Sequence, residues 1–226
     1  MEGNKLSKIK VLNLYCGIGG NRKLWDDDEV EVTAVEFDPK IAKIYQDHFP
    51  NDNVVVGDAK EYLVEHFKEF DFIWVSPPCP THSRFRFLWK GEGKLNNKTS
   101  GSSFKLPDMD LYGIIIFLQH FFEGKYVVEN VISYYDPLIK PVMVDNHYFW
   151  ANFNISSKRR IARNITNQDI ELKELERGFD LSKYELPKRY KRKLLNNCVY
   201  PEVGRHVFEC AFSNKQMSLL EVGSHE

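Results

Sequence analysis

Five short apolar runs spread along the chain decide what this sequence can fold into. They are Ile9–Tyr15 (IKVLNLY), Val30–Phe37 (VEVTAVEF), Asn53–Val56, Asp71–Ser76 and Lys125–Asn130 (KYVVEN). They read as buried strands. Between them lie segments of helical pattern. Asn21–Trp25 opens one, Asp38–Phe49 carries Pro39 in its first turn, Ala59 runs to about Phe67, and Asp110–Phe122 forms a fourth. Strand and helix alternate, which predicts an α/β fold with a Rossmann-like, doubly wound, mostly parallel sheet. Ligands bind such sheets beyond the carboxyl ends of their strands. With 226 residues, 42% of them hydrophobic, there is enough material for the core of one sizeable domain.

Pro77–Asp108 breaks the rhythm. It is rich in Gly, Ser, Asn and Lys and carries Phe85, Phe87, Trp89 and Phe104. A long irregular segment inside a compact domain is functional or disordered. Further on, Tyr148–Phe153 and Arg160–Ile165 read as a strand pair, and Asn167–Lys188 as a short polar stretch. Tyr190–Val199 leads into a last helix near Val203–Ser213, and Glu221–Glu226 reads as a frayed tail.

Several classes are excluded. Met1–Lys10 is polar and basic, unlike a signal peptide. No apolar run reaches the roughly 18 residues of a membrane span. Cys16, Cys79, Cys198 and Cys210 form no CxxC pair, which speaks against a zinc site or a disulfide framework. A cytoplasmic, reducing setting is expected, with no metal. The formal net charge of −1 predicts no nucleic-acid affinity by itself, so only the distribution of charge can.

The candidate chemistry sits at strand ends. Cys16-Gly-Ile-Gly-Gly20 is a glycine turn after the first strand, where small residues let a ligand approach the backbone. Glu36 closes the second strand. It is either a solvated carboxylate or an acceptor for two ribose hydroxyls. Asp58 follows the third, as a helix N-cap or a contact to an adenine amino group. Cys79 sits between prolines after the fourth strand, in SPPCP. A lone cysteine is usually a small buried hydrophobe. This one opens a polar loop, which suits a nucleophile. Glu129 closes the fifth strand, and in a parallel sheet it falls beside Cys79. A thiolate and a carboxyl group facing one pocket make a covalent site.

Taken together, these stretches resemble the DNA cytosine-5 methyltransferase family, closest to its short phage-type members. LYCGIGG matches the first family motif, PPCPTHSR the nucleophile motif and ENV the Glu129–Val131 motif. SSKRR (156–160) takes the place of the arginine motif, and Asn197-Cys198-Val199 that of the late asparagine motif. The resemblance runs from about Val11 to Phe212. It implies the class I S-adenosylmethionine-dependent methyltransferase fold. It also implies methyl transfer from S-adenosylmethionine to C5 of cytosine in DNA, leaving S-adenosylhomocysteine. Cys79 would add to C6 of a flipped cytosine, Glu129 would bond its N3 edge and Arg160 would help hold the base. Tyr15, Gly17, Gly20, Glu36, Phe37, Asp58, Pro78, Asn197 and Val199 map onto the methyl-donor pocket, with Phe37 stacked on the adenine. Arg84, Arg86, Lys90 and Lys158 are the implied nucleic-acid contacts. Arg84, Arg86 and Arg160 would also make the pocket more electropositive around the thiol. The implied setting is bacterial or phage-infected cytoplasm, and restriction protection is one natural role.

Three departures qualify this. Pro80 stands where the family has glutamine. Lys158 replaces an arginine and cannot make the bidentate fork. Ile161 to Asn196 spans 36 residues, too few for an independent target-recognition domain. The expectation is therefore one catalytic domain over 1–226, with a mobile loop at 80–108 and a short 166–190 segment in place of a recognition domain. Two basic segments, Thr81–Asp108 and Pro187–Lys193 (PKRYKRK), read either as solvated loops or as phosphate contacts to duplex DNA. Specificity would then be low or supplied by a partner protein. RNA, a free cytosine nucleotide, or a role as a non-catalytic DNA-binding subunit are the rival readings.

Overall fold

The computed structural model describes residues 7–83, 106–156 and 169–221, with side chains in the last helix to Phe212. Seven strands form one sheet: β1 (Ile9–Leu14), β2 (Val30–Glu36), β3 (Asn53–Val56), β4 (Phe72–Val75), β5 (Lys125–Val131), β6 (Val142–Val144) and β7 (His147–Ala151). The helices are α1 (Pro39–His48), α2 (Ala59–His66), α3 (Asp110–Phe121), α4 (Ile170–Arg177), α5 (Lys188–Asn196) and α6 (Pro201–Glu221). The strand order is β3-β2-β1-β4-β5-β7-β6. β1 to β5 are parallel and β7 runs antiparallel between β5 and β6. This is the doubly wound, mostly parallel sheet the apolar runs predict.

Period-two alternation assigns the strand residues to two faces. Leu12, Leu14, Ile73, Val75 and Val128 pack with α2 and α3. Val11, Phe72, Trp74 and Val127 pack with Trp25 and with Val207 and Phe208 of α6. Both faces are covered, so β4 is buried throughout, as expected of a central parallel strand. A third cluster joins α1 and α5 to Cys16, Ile18, Phe179 and Leu181.

Two local expectations are corrected. Asn21–Trp25 makes successive i→i−3 turns rather than opening a helix (Arg22 N to Gly19 O, 3.1 Å; Trp25 N to Arg22 O, 3.0 Å). The buried amides of Asn21 and Asn13 bond each other, and the Arg22 guanidinium turns inward to Asp52. These side-chain contacts take precedence over helix continuation.

β7 pairs with β5 on one side and with β6 on the other, through a two-residue Asp145-Asn146 turn in which Asp145 has φ +53°. Both its edges are filled by these two strands; the expected 160–165 strand lies outside the described residues. The other correction is the polar stretch after Asn167, which contains α4, bounded by an Asp169 N-cap and Gly178 at φ +66°.

The glycine loop and the late asparagine motif meet. A Cβ on Gly20 would lie 2.2 Å from Cys198 Sγ and 2.3 Å from Val199 O. We predict that Gly20→Ala costs about 2 kcal/mol or more by overpacking. Thermal melts would show it as a clear loss of Tm. An unchanged Tm would mean the two segments separate freely.

Candidate active site

Glu36 organises the glycine-loop end of the sheet. Its Oε2 accepts from Gly17 N at 3.0 Å and its Oε1 from Asp38 N at 3.0 Å, while its backbone oxygen accepts from Gly57 N at 3.1 Å. One residue thus ties the ends of β1, β2 and β3 together. The loop itself needs unusual backbone: Tyr15 has φ +54° and Gly17 φ +56°. At Gly17 a Cβ would meet nothing within 4 Å, so this backbone faces open space. Phe37, the next residue after Glu36, is 75% exposed, so its ring is accessible at the end of β2. Asp58 caps α2, its Oδ1 accepting from Lys60 N and Glu61 N. The N-cap reading of Asp58 therefore holds in this state. Asn197 is exposed at the end of α5, Val199 is buried beside Gly20, and Pro78 is exposed.

The Tyr15 hydroxyl is pushed well above its ordinary range by burial and then by the charges of Asp58, Asp110 and Asp108. This acidic fringe at the loop is a feature that strand periodicity does not reveal.

Cys79 and Glu129 come together as neighbouring strand ends require. Val75 pairs with Val128, so the residues after β4 emerge beside the end of β5. Asn130 Nδ2 donates to Pro77 O at 3.1 Å, clasping the proline turn to β5. Glu129 is buried and Cys79 half-buried. Burial pushes the Cys79 thiol up, and the Glu129 carboxylate pushes it further; its backbone hydrogen bond opposes them. Among the described residues no cation offsets this. Arg84, Arg86 and Lys90, and likewise Lys158 and Arg160, lie outside the described residues. The other thiols differ in setting. Cys16 and Cys198 are buried, and burial holds Cys198 up at about 12. Both fit the packing reading.

Three residues missed in the sequence support the site. His82 is 1% exposed and its Nδ1 lies 2.6 Å from the Tyr135 hydroxyl. Its backbone nitrogen donates to Cys79 O at 3.0 Å and its backbone oxygen accepts from Tyr134 N at 3.1 Å. Thr81 Oγ1 accepts from Asp108 N at 3.1 Å, joining residues 81 and 108 between the turn after β4 and the start of α3. The third residue is His147, whose Nε2 lies 3.7 Å from Glu129 Oε1. The signal for His82 was its place within PPCPTHS. His147 carried no signal until β7 was paired.

The family described as C-5 cytosine-specific DNA methylase matches residues 9–92, which hold the glycine loop, Glu36, Asp58 and Cys79. The match covers somewhat more than a third of the chain, so it is this N-terminal part that is similar to the family. A tRNA (cytosine(38)-C(5))-methyltransferase of Spodoptera frugiperda is 30% identical over 80 residues, covering 33% of this chain and 24% of that protein. The chain thus matches about a quarter of this curated relative's length. Among solved structures, a Spodoptera frugiperda DNMT2 mutant is 23% identical, with a TM-score of 0.35 over 55% of this chain and 36% of that one. A SAM-dependent methyltransferase from Agrobacterium tumefaciens is 14% identical, with a TM-score of 0.40 over 57% and 40%. Glu129 and Asn197–Val199 lie beyond the matched segment, and the fold alone brings them back to it. No helix among the described residues is long and apolar enough to cross a membrane.

The site's electrostatics make one prediction. In the free protein, iodoacetamide labels Cys79 slowly at neutral pH, because the thiolate is the reactive form. Glu129→Gln removes a raising charge and speeds labelling severalfold. Peptide mass spectrometry separates Cys79 from half-buried Cys210. A rate indifferent to Glu129→Gln would show that the carboxylate does not act on the thiol.

Proposed function

We propose that this protein transfers a methyl group from S-adenosylmethionine to C5 of cytosine in DNA, through a covalent bond between Cys79 Sγ and cytosine C6. The observation that carries this reading is the junction of Cys79 and Glu129 at the ends of β4 and β5, in one sheet with the Glu36-braced glycine loop.

The residues present fit the methyl donor. Open backbone at Gly17, the Glu36 carboxylate and the exposed Phe37 ring offer a site for a ribose and an adenine. Tyr15, Gly20, Asp58, Pro78, Asn197 and Val199 complete this proposed pocket. When bound, S-adenosylmethionine supplies an electrophilic methyl group.

Cys79 and Glu129 make the base able to accept that methyl group. The Cys79 thiolate adds to C6 of an extruded cytosine and opens the C5–C6 double bond. Glu129 supplies a proton or hydrogen bond at N3, which draws electron density toward the ring edge and makes C5 an enamine carbon. After C5 has gained its methyl group it loses its proton, the Cys79–C6 bond breaks, and the double bond returns as the thiolate leaves. Burial and the Glu129 charge, which raise the thiol, disfavour its attack in the free protein. Arg84, Arg86, Lys90, Lys158 and Arg160 are the residues proposed to add positive charge as substrate binds.

A polynucleotide substrate is supported by α5. Lys188, Arg189, Arg192 and Lys193 are exposed on it, and the helix carries no acidic residue. Tyr190 of the same helix donates to Asp38 Oδ2 at 2.9 Å, directly after β2, so the basic strip lies by the rim on which the site opens. RNA is the second reading, because the Spodoptera frugiperda relative is named a tRNA methyltransferase.

Labelled-methyl transfer to duplex DNA, single-stranded DNA, RNA and free cytidine nucleotide tests this. Label in DNA that disappears in Cys79→Ala, with donor binding kept, is the expected result. Label confined to RNA overturns the DNA assignment. Full activity in Cys79→Ala overturns the covalent chemistry. A second expectation concerns α5. Arg189→Glu with Arg192→Glu weakens DNA binding and flattens its salt dependence by a slope of about 1 per lost phosphate contact. An unchanged slope would show that α5 does not touch phosphate.

A further inference from the structure

The strand pairing sets a histidine against the carboxylate assigned to the base. β5 and β7 are antiparallel, with Glu129 opposite Phe149 and Val131 opposite His147. Residues two apart share a face, so Glu129 and His147 are diagonal neighbours on one side of the sheet, within reach of long side chains. His147 Nε2 lies 3.7 Å from Glu129 Oε1, and their side chains are 20% and 9% exposed. The ring of Phe149 holds the imidazole edge-on, at 6.5 Å between centroids. His147 Nδ1 is buried without a hydrogen-bond partner among the described residues, as is Oδ2 of Asp145 in the β6–β7 turn. Buried polar atoms rarely stay unpaired in a working state.

The path of the chain adds to this. After β7 it leaves at the opposite end of the sheet. Asn152 accepts from Tyr126 N at 3.0 Å and donates to Gly124 O at 2.8 Å, at the start of β5. Ser156 O then meets His206 of α6 at 2.7 Å. The segment leading to Lys158 and Arg160 therefore starts from the end of the sheet away from Cys79. Among the described residues, the imidazole of His147 lies in ion-pair reach of Glu129.

We propose that His147 is the positioning residue for Glu129, holding Oε1 through its Nε2–H so that Oε2 meets the N3 edge of cytosine. The proposal rests on the reading of Cys79 and Glu129 given above. A 3.7 Å contact is longer than a hydrogen bond, and catalytic contacts of this kind tighten when substrate is bound. His147 does not touch the base. It fixes the rotamer of the group that does and supplies the donor that Glu129 needs while N3 gains and later returns its proton. Among the described residues, the titratable groups beside the pair are Cys79, which feels the Glu129 charge, and Asp145, two residues before His147 in the turn.

The test is steady-state methyl transfer by wild type, His147→Phe, His147→Gln, Glu129→Gln and the double variant His147→Phe/Glu129→Gln, with donor affinity and Tm measured for each. We expect His147→Phe to lower kcat by about 100-fold while KM for DNA and donor affinity stay within a few fold. His147→Gln, which keeps a donor on a side chain of similar reach, restores most of that loss. The double variant is no slower than Glu129→Gln alone, because both residues act through one carboxylate. A wild-type kcat in His147→Phe, or losses that multiply in the double variant, overturns the proposal. Should His147→Phe fail to fold, His147→Gln decides: a modest fall in kcat that vanishes in the Glu129→Gln background supports it, and a persistent one overturns it. If Cys79→Ala is inactive and His147→Phe is normal, the assignment of His147 alone fails. If Cys79→Ala is active, the underlying chemistry fails.

Discussion

The parallel pairing of β4 with β5, Val75 opposite Val128, is the constraint on which the rest of the structure depends. It brings a cysteine and a glutamate separated by 50 positions in the chain to adjacent strand ends. A one-residue slip would exchange the two faces of β5 and send Glu129 to the layer now occupied by Val128. Several features hold the register. Burial of β4 on both faces rewards only one alternation. The Asn130–Pro77 hydrogen bond locks the strand ends, and β7 closes the far side of β5, bringing His147 with it.

The two halves of the site are prepared differently. The glycine-loop half is built from backbone and held by Glu36, whose two carboxylate oxygens each satisfy an amide. These hydrogen bonds hold its backbone without any ligand, and such preorganisation lowers the entropy cost of binding. The cysteine half is held geometrically but opposed electrostatically, since burial and Glu129 both disfavour the thiolate. Such a site does not react indiscriminately. The basic residues proposed to favour the thiolate lie in segments that flank it in sequence. Part of the 166–190 stretch, expected to stand in for a recognition domain, packs against the first half. Phe179 and Leu181 pack with Cys16, Ile18 and Tyr45 beneath the glycine loop.

Much of this was legible in the residues. The central strands read correctly because parallel strands buried on both faces are short apolar runs, and their ends are marked by Gly, Pro or a carboxylate. The meeting of Cys79 with Glu129 followed from strand adjacency alone. What escaped depended on partners far away in sequence. The turns at Asn21–Trp25 exist because Asn13 and Asp52 claim the side chains of Asn21 and Arg22. β6 is three residues long and weakly patterned, so its pairing with β7 leaves no sequence signal. α4 escaped because a helix of eight residues with buried Lys173 and Arg177 shows no ordinary apolar stripe. Its capping pair, Asp169 and Gly178, was the signal available. His147 and His82 could not be ranked from sequence, since their roles arise from a diagonal across β5–β7 and from a hydroxyl on Tyr135.

The central claim is that the Cys79 sulfur forms a bond to cytosine C6. Incubating the protein and S-adenosylmethionine with DNA carrying 5-fluorocytosine tests it most directly, because fluorine at C5 blocks the elimination that frees the enzyme. The account predicts a denaturation-resistant complex whose crosslinked peptide contains Cys79, and no complex from Cys79→Ala. A crosslink on another residue, or none on any fluorinated DNA or RNA despite measurable donor binding, would contradict it.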